Sequence, residues 1–274
     1  MTVTNAVETT MIWGTVSGAS MLGMVISLLL SVSLPIFLGI FIYKKTKAWV
    51  PAFFIGCGIF VGFAMILEQI CHAIVLTVTG SAIRDNIWLY AIYGGLAAAL
   101  FEECGRWIAM KFCLKKHLTR ENALMYGAGH GGIEAFLILG MSSMSNLLTA
   151  AMINGGLMEK TMTALEPAQQ EVTYHQLSVL WTTPAYQFYL APVERISAIA
   201  LQIALSILVY SAVKTGRKLQ LAAAFGLHFA VDFLTVICAS MIPTWALELG
   251  LLVVVAVICA AVYKLVYVHS AEKK

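Results

Sequence analysis

Four short stretches set ionisable side chains into otherwise apolar sequence: Glu102-Glu103-Cys104-Gly105-Arg106, Gly129-His130-Gly131-Gly132-Ile133-Glu134, Glu194-Arg195 and His228-x-x-x-Asp232. A carboxylate next to an imidazole can take a proton from water, directly or on a bound divalent ion, and His with Asp/Glu is a common zinc donor set. A second imidazole with its own carboxylate can complete a metal shell or stabilise an oxyanion. Glu102 and Arg106, His130 and Glu134, and His228 and Asp232 are each four residues apart. That spacing puts both members of a pair on one helix face. Arg106 can then hold one glutamate ionised while the other stays free to act. Gly127, Gly129, Gly131 and Gly132 around His130 leave room beside the ring or let another backbone come close.

The elements that must carry these groups are membrane-spanning. Of 274 residues, 60% are hydrophobic and 11% charged, against about 25% charged in soluble domains. Seven segments, near 11–43, 50–79, 87–113, 122–153, 191–213, 219–241 and 244–267, are long enough to cross a core that takes roughly 20 helical residues. They are read as helices because lipid offers no partner to open backbone groups, and no alternating barrel pattern occurs. The expected fold is an all-α polytopic membrane protein, one integral domain over 1–274. Its polar-site helices lie at about 87–241, and an outer loop at about 154–190 carries aromatics that read as an interfacial belt, a re-entrant cap or a lid.

Lysine and arginine placement sets the expected orientation. Lys44, Lys45 and Lys47 follow the first segment; Lys111, Lys115, Lys116 and Arg120 the third; Lys214, Arg217 and Lys218 the fifth; Lys264, Lys273 and Lys274 close the chain. The alternate connections hold only Arg84 and Lys160. The N-terminus is expected outside and the C-terminus in the cytoplasm of a multi-pass protein of the bacterial plasma membrane. A net charge of +3 gives no reason to expect nucleic acid. Six cysteines without a CxxC pair indicate neither a disulfide framework nor a thiolate zinc site. The N-terminus lacks the basic region of a signal peptide. Gly14-xxx-Gly18 and Ala19-xxx-Gly23 suggest close helix approach in the first segment, where Pro35 is expected to kink the helix.

Half of the fourteen acidic residues fall inside the spans. Mid-membrane charges cost roughly 2.5–3.5 kcal/mol each on insertion scales, so they face protein or a cavity. At about 1.5 Å per residue, Glu102, His130 and His228 lie roughly 13, 12 and 13 Å from the same membrane face. One acid and two imidazoles thus share a layer. Glu68–His72 and Glu194–Arg195 read as structural pairs toward the outer half, Gln202 as an interhelical hydrogen bonder, and Glu248 as interfacial. The absence of HExxH, of a GxSG serine motif with histidine and of GxGD speaks against three other kinds of membrane protease. A non-enzymatic scaffold or peptide-binding protein and a small transporter with Glu102, Glu103 and Arg106 as a relay are the competing readings.

The four motifs, in this order, resemble the YhfC family of bacterial intramembrane metalloproteases. That family is similar to the PrsW-like proteases and the CAAX prenyl endopeptidase (CPBP or Abi) group, and more remotely to the scaffold subunit of γ-secretase. The resemblance implies an endopeptidase acting on membrane-associated peptides or proteins. It implies that Glu102 or Glu103, with His130, activates water, and that His228 and Asp232 face the same cavity. His130, His228 and Asp232 are the implied metal ligands, with His228 and Asp232 alternatively oxyanion stabilisers, and zinc is the implied ion; Arg106, Glu134, Glu194, Arg195 and Gln202 are supporting residues. Two departures stand out. The arginine follows the glutamates one residue earlier than in the CAAX enzymes, and Gln202 stands where a histidine is expected.

Overall fold

The fold is described by a computed structural model covering residues 11–268. Nine helices are formed among the described residues: α1 Gly18–Thr46, α2 Pro51–Thr79, α3 Ile87–Cys113, α4 Arg120–Asn154, α5 Leu157–Met162, α6 Pro167–Thr182, α7 Ala185–Thr215, α8 Lys218–Ala239 and α9 Thr244–Tyr267. All but α5 and α6 are long and apolar enough to cross a membrane. The protein is all-α with seven candidate spans.

Burial decides which helix is central. In α7, 72% of the most apolar window is buried, against at most 33% in any other span. It packs on α1, α4, α8 and α9, while α4 also lies against α1 and α2, and α3 pairs with α8. The outer faces expose large apolar side chains such as Leu29, Phe37, Phe54, Ile74, Leu148 and Val257, as a surface in hydrocarbon must.

Glycines let α4 into this position. A Cβ on Gly129 would sit 2.0 Å from the Phe53 carbonyl oxygen of α2, and one on Gly56 would sit 2.2 Å from the Tyr126 carbonyl oxygen of α4. The two backbones therefore touch where each lacks a side chain, and the α4 glycines serve backbone approach. Because the obstacle is backbone, Gly129→Ala should cost at least the ~1–3 kcal/mol of overpacking. Gly58→Ala, with nothing within 4 Å, should be neutral. Thermal unfolding of the two variants in detergent checks this; equal melting temperatures would contradict the close approach.

Two expectations need correction. The first helix starts at Gly18, not near residue 11. Asn154 of α4 accepts from Val16 N–H at 2.8 Å and donates to Val16 C=O at 3.0 Å, meeting the needs that a helix would otherwise meet. Ser17 caps α1 by accepting from Ser20 N–H at 3.0 Å. Gly14 is thus no helix-packing residue; it makes room for the Trp181 ring. The stretch 154–190 is also not a loop. Gly156, at φ +69°, turns the chain into α5, Pro167 opens α6, and α7 begins at Ala185. The aromatics of α6 cluster with the N-terminal segment: Trp13 lies 5.6 Å from Tyr174 and 5.7 Å from Trp181, centroid to centroid. Tyr174 also donates to Ile12 C=O at 2.7 Å. No residue of α5 or α6 lines the polar cavity described next, so α6 caps α1 and does not cover the site. Lys273 and Lys274 lie outside the described residues.

Candidate active site and metal centre

The polar groups of α3, α4, α7 and α8 meet around Arg106, which is fully buried. Its Nε donates to Glu103 Oε2 at 3.1 Å, and its Nη1 donates to Gln202 C=O at 2.9 Å and to Ser206 Oγ at 2.6 Å. Its Nη2 donates to Gln202 Oε1. A guanidinium only donates, so this contact fixes the Gln202 amide with its oxygen toward Arg106. The amide nitrogen then points the other way and donates to Glu102 Oε2 at 2.8 Å and to Glu134 Oε2 at 2.9 Å. Gln202 ties two carboxylates together.

Each glutamate of α3 is used differently. Glu103 has both oxygens engaged, Oε2 by Arg106 and Oε1 by His228 Nδ1 at 2.8 Å. That bond puts the His228 proton on Nδ1 when the ring is neutral and leaves Nε2 facing Glu102 Oε2 at 3.9 Å and Asp232 Oδ2 at 3.5 Å. Glu102 Oε2 meets His130 Nε2 at 2.9 Å as well as Gln202. Its Oε1 has no hydrogen-bond partner among the described residues. Fully buried His130 has its other nitrogen 3.5 Å from the Tyr126 hydroxyl, and Phe60 packs edge-on at 5.2 Å between centroids.

Glu134 is also saturated: Arg195 Nη1 donates to its Oε1 at 3.2 Å, and Arg195 is further paired with Glu194. A cavity of about 240 Å³ opens among these groups, lined by Glu102, Glu134, Arg195, Gln202, His228 and Asp232, with apolar walls that include Leu251 and Val255 of α9. Asp232 stands at its edge with a side chain 35% exposed.

The structure thus brings together the ten residues named from sequence, with two differences in detail. Of the two glutamates that the sequence leaves open to Arg106, it pairs with Glu103, three residues before it. The tightest group of possible ligands is Glu102, His130 and Glu134, whose donor atoms lie within 4.8 Å of one another; the sequence pointed to His130, His228 and Asp232. Glu134 joins because Gln202 and Arg195 draw its carboxylate inward. Glu248, expected at the interface, is buried, and its Oε2 has no hydrogen-bond partner among the described residues. It lies close enough to Glu194 and Arg195 to interact electrostatically. Glu68 and His72 pair as expected at 3.2 Å, and His72 Nδ1 reaches the Tyr93 hydroxyl at 2.7 Å. Tyr126 and Ser206 were missed. Each sits four residues from a named one, His130 and Gln202, so a same-face search would have found both.

A donor set of two carboxylates and one imidazole, buried and convergent, could hold a divalent metal ion. The Tyr126 hydroxyl lies 3.5 Å from the His130 nitrogen turned away from this cluster, where an outer hydrogen bond to a ligating histidine would fall.

Seven apolar helices around such a centre define a multi-pass membrane protein with a candidate metal site inside the bundle. Residues 30–259 match the family described as YhfC intramembrane metalloprotease. Over 204 residues the chain is 43% identical to "Uncharacterized membrane protein YhfC" of Bacillus subtilis (strain 168), covering 71% of this chain and 76% of that protein. The chain belongs to the YhfC family. No solved structure matches it.

Proposed function

We propose that this chain is an intramembrane metal-dependent endopeptidase that hydrolyses peptide bonds of membrane-associated peptides or proteins. The observation that carries the reading is the convergence of Glu102, His130 and Glu134 within 4.8 Å, buried in a membrane bundle. Those three residues would hold the ion, which when bound acidifies water and polarises a carbonyl.

The chain's own groups have separable roles. Glu102 lines the cavity and keeps Oε1 free, so it receives the proton of the attacking water. Glu103 is not itself among the residues that line the cavity; with Arg106 behind it, it orients His228. The His228 Nε2 faces the cavity, where it passes a proton to the leaving amine or stabilises the oxyanion, and Asp232 balances the imidazolium. Gln202, in the place expected for histidine, holds Glu102 and Glu134 at a fixed separation. With the lysine-rich end in the cytoplasm, cleavage falls in the cytoplasmic half of the membrane.

One feature favours the competing reading of an inert polar core: Gln202 already satisfies both carboxylates without an ion. Elemental analysis of detergent-purified protein separates the two. The peptidase reading expects about one zinc-type ion per chain, lost in His130→Ala and Glu134→Gln, and cleavage that stops on chelation and returns with added ion. No stoichiometric divalent ion in the wild-type protein would contradict the metal assignment.

A further inference from the structure

Away from the polar centre, the ends of α1, α4 and α9 enclose a second cavity of about 540 Å³, whose lining includes Lys45, Lys47, Trp49, Arg120, Asn122 and Tyr267. Glu121 also faces it but is paired with Arg120, whose Nε lies 2.8 Å from the carboxylate. Three cations against one carboxylate leave two positive charges in the wall. Lys45 and Lys47 are exposed and have no carboxylate partner among the described residues, although Lys47 Nζ lies 5.3 Å from the Tyr43 ring. Arg120 is held in place: Nη1 donates to Tyr267 C=O at 3.1 Å, and the guanidinium lies 4.5 Å from that residue's ring centroid.

Tyr267 lines a further groove as well, of about 330 Å³, between α4, α7 and α9. Its other walls include Leu124, Ala200, Ile203, Cys259 and Tyr263, and it is almost wholly apolar. A basic chamber at the helix ends and an apolar groove along the spans therefore lie on either side of one aromatic side chain. A fixed anion at one end and an alkyl chain at the other is the chemistry of an anionic phospholipid, and basic pockets between membrane helices favour such headgroups. A free phosphate would leave the apolar groove unexplained, and a zwitterionic lipid would bring its own headgroup cation into a chamber that already carries two surplus positive charges.

We propose that these two neighbouring cavities together hold one anionic phospholipid, its phosphate among Lys45, Lys47 and Arg120 and an acyl chain past Tyr267 along the α7–α9 groove. This site is independent of the peptidase reading, since none of its residues lines the polar cavity.

The test uses the full chain, delipidated in a neutral detergent, with native mass spectrometry to count bound lipid and melting temperature to read stabilisation. Phosphatidylglycerol is expected to bind one per chain and to raise the melting temperature, phosphatidylcholine to bind much more weakly, and inorganic phosphate at the same concentration to do nothing. Lys45→Gln with Lys47→Gln, both exposed, should weaken phosphatidylglycerol binding about 30-fold, at roughly one decade per 1.4 kcal/mol and about 1 kcal/mol per surface cation. Equal binding of the two lipids, or unchanged binding by the double variant, would overturn the proposal. Inorganic phosphate reproducing the full stabilisation would overturn the acyl-chain part and make the chamber a phosphate site.

Discussion

Glu102→Gln is expected to lower cleavage about 10²–10⁴-fold, the usual contribution of a positioned acid or base, while the melting temperature in detergent changes little. The substituted amide keeps the shape of the side chain and one acceptor oxygen, so the bonds to His130 and Gln202 can largely be retained. What is lost is the carboxylate charge, and with it the base, on a residue that lines the cavity. The contrast with Glu103 is informative because the residues are adjacent and chemically identical. Glu103 has no free oxygen: one serves Arg106 and the other His228. Glu103→Gln should therefore reduce cleavage through a misoriented His228 and also reduce stability, because Arg106 loses its anion. Kinetics and melting of the two purified variants decide the matter. Equal activity loss with equal stability loss would contradict the division of labour, as would a Glu102→Gln protein that cleaves at the wild-type rate.

The second large effect concerns Arg106. Removing one partner of a buried ion pair typically costs 3–5 kcal/mol, because the other charge is left without compensation. Arg106→Met strands Glu103 together with the Gln202 carbonyl oxygen and Ser206, all buried. The variant should lose about 3–5 kcal/mol in reversible unfolding from detergent, and adding Glu103→Leu should recover part of it, since an apolar pair leaves no orphaned charge. A loss below about 1 kcal/mol, the range of exposed pairs, would mean that the guanidinium is not held as described.

Much of this arrangement was legible in the sequence, and the reasons are physical. Helix rise is fixed, and the lysine clusters mark where each helix meets one face of the membrane. Counting from those anchors put Glu102, His130 and His228 at one depth, and they meet within 2.9 Å for the first two and 3.9 Å between Glu102 and His228. The glycine run around His130 announced a crowded place, though not that the neighbour would be the α2 backbone at Phe53. Side-chain choice was harder to read. Positions three and four residues away are both within reach of Arg106, and contacts supplied by Gln202 and Ser206, about 100 residues later, settle it on Glu103. Glu134 enters the ligand cluster through Arg195 and Gln202 of α7 for the same reason. Glu248 looked interfacial because it lies four residues into α9; its burial depends on how α9 packs on α7, which hydropathy does not encode. The late start of α1 likewise depends on Asn154, 138 residues away.

These features locate the chemistry in a small volume. Glu102, His130 and Glu134 form the candidate ion site, His228 with Asp232 forms the second polar wall, and Arg106, Glu103 and Gln202 fix the geometry of both. In the proposed peptidase the unpaired oxygen of Glu102 must face substrate, and Glu102 is among the residues that line the polar cavity.

The most direct test is a comparison of peptide termini in membranes that contain the wild-type chain with those that contain Glu102→Gln at equal abundance. New termini next to membrane spans, present with the wild-type protein and absent with the variant, are the expected result. Identical termini in the two membranes, with both proteins inserted at equal abundance, would contradict the assignment of a glutamate-dependent intramembrane peptidase.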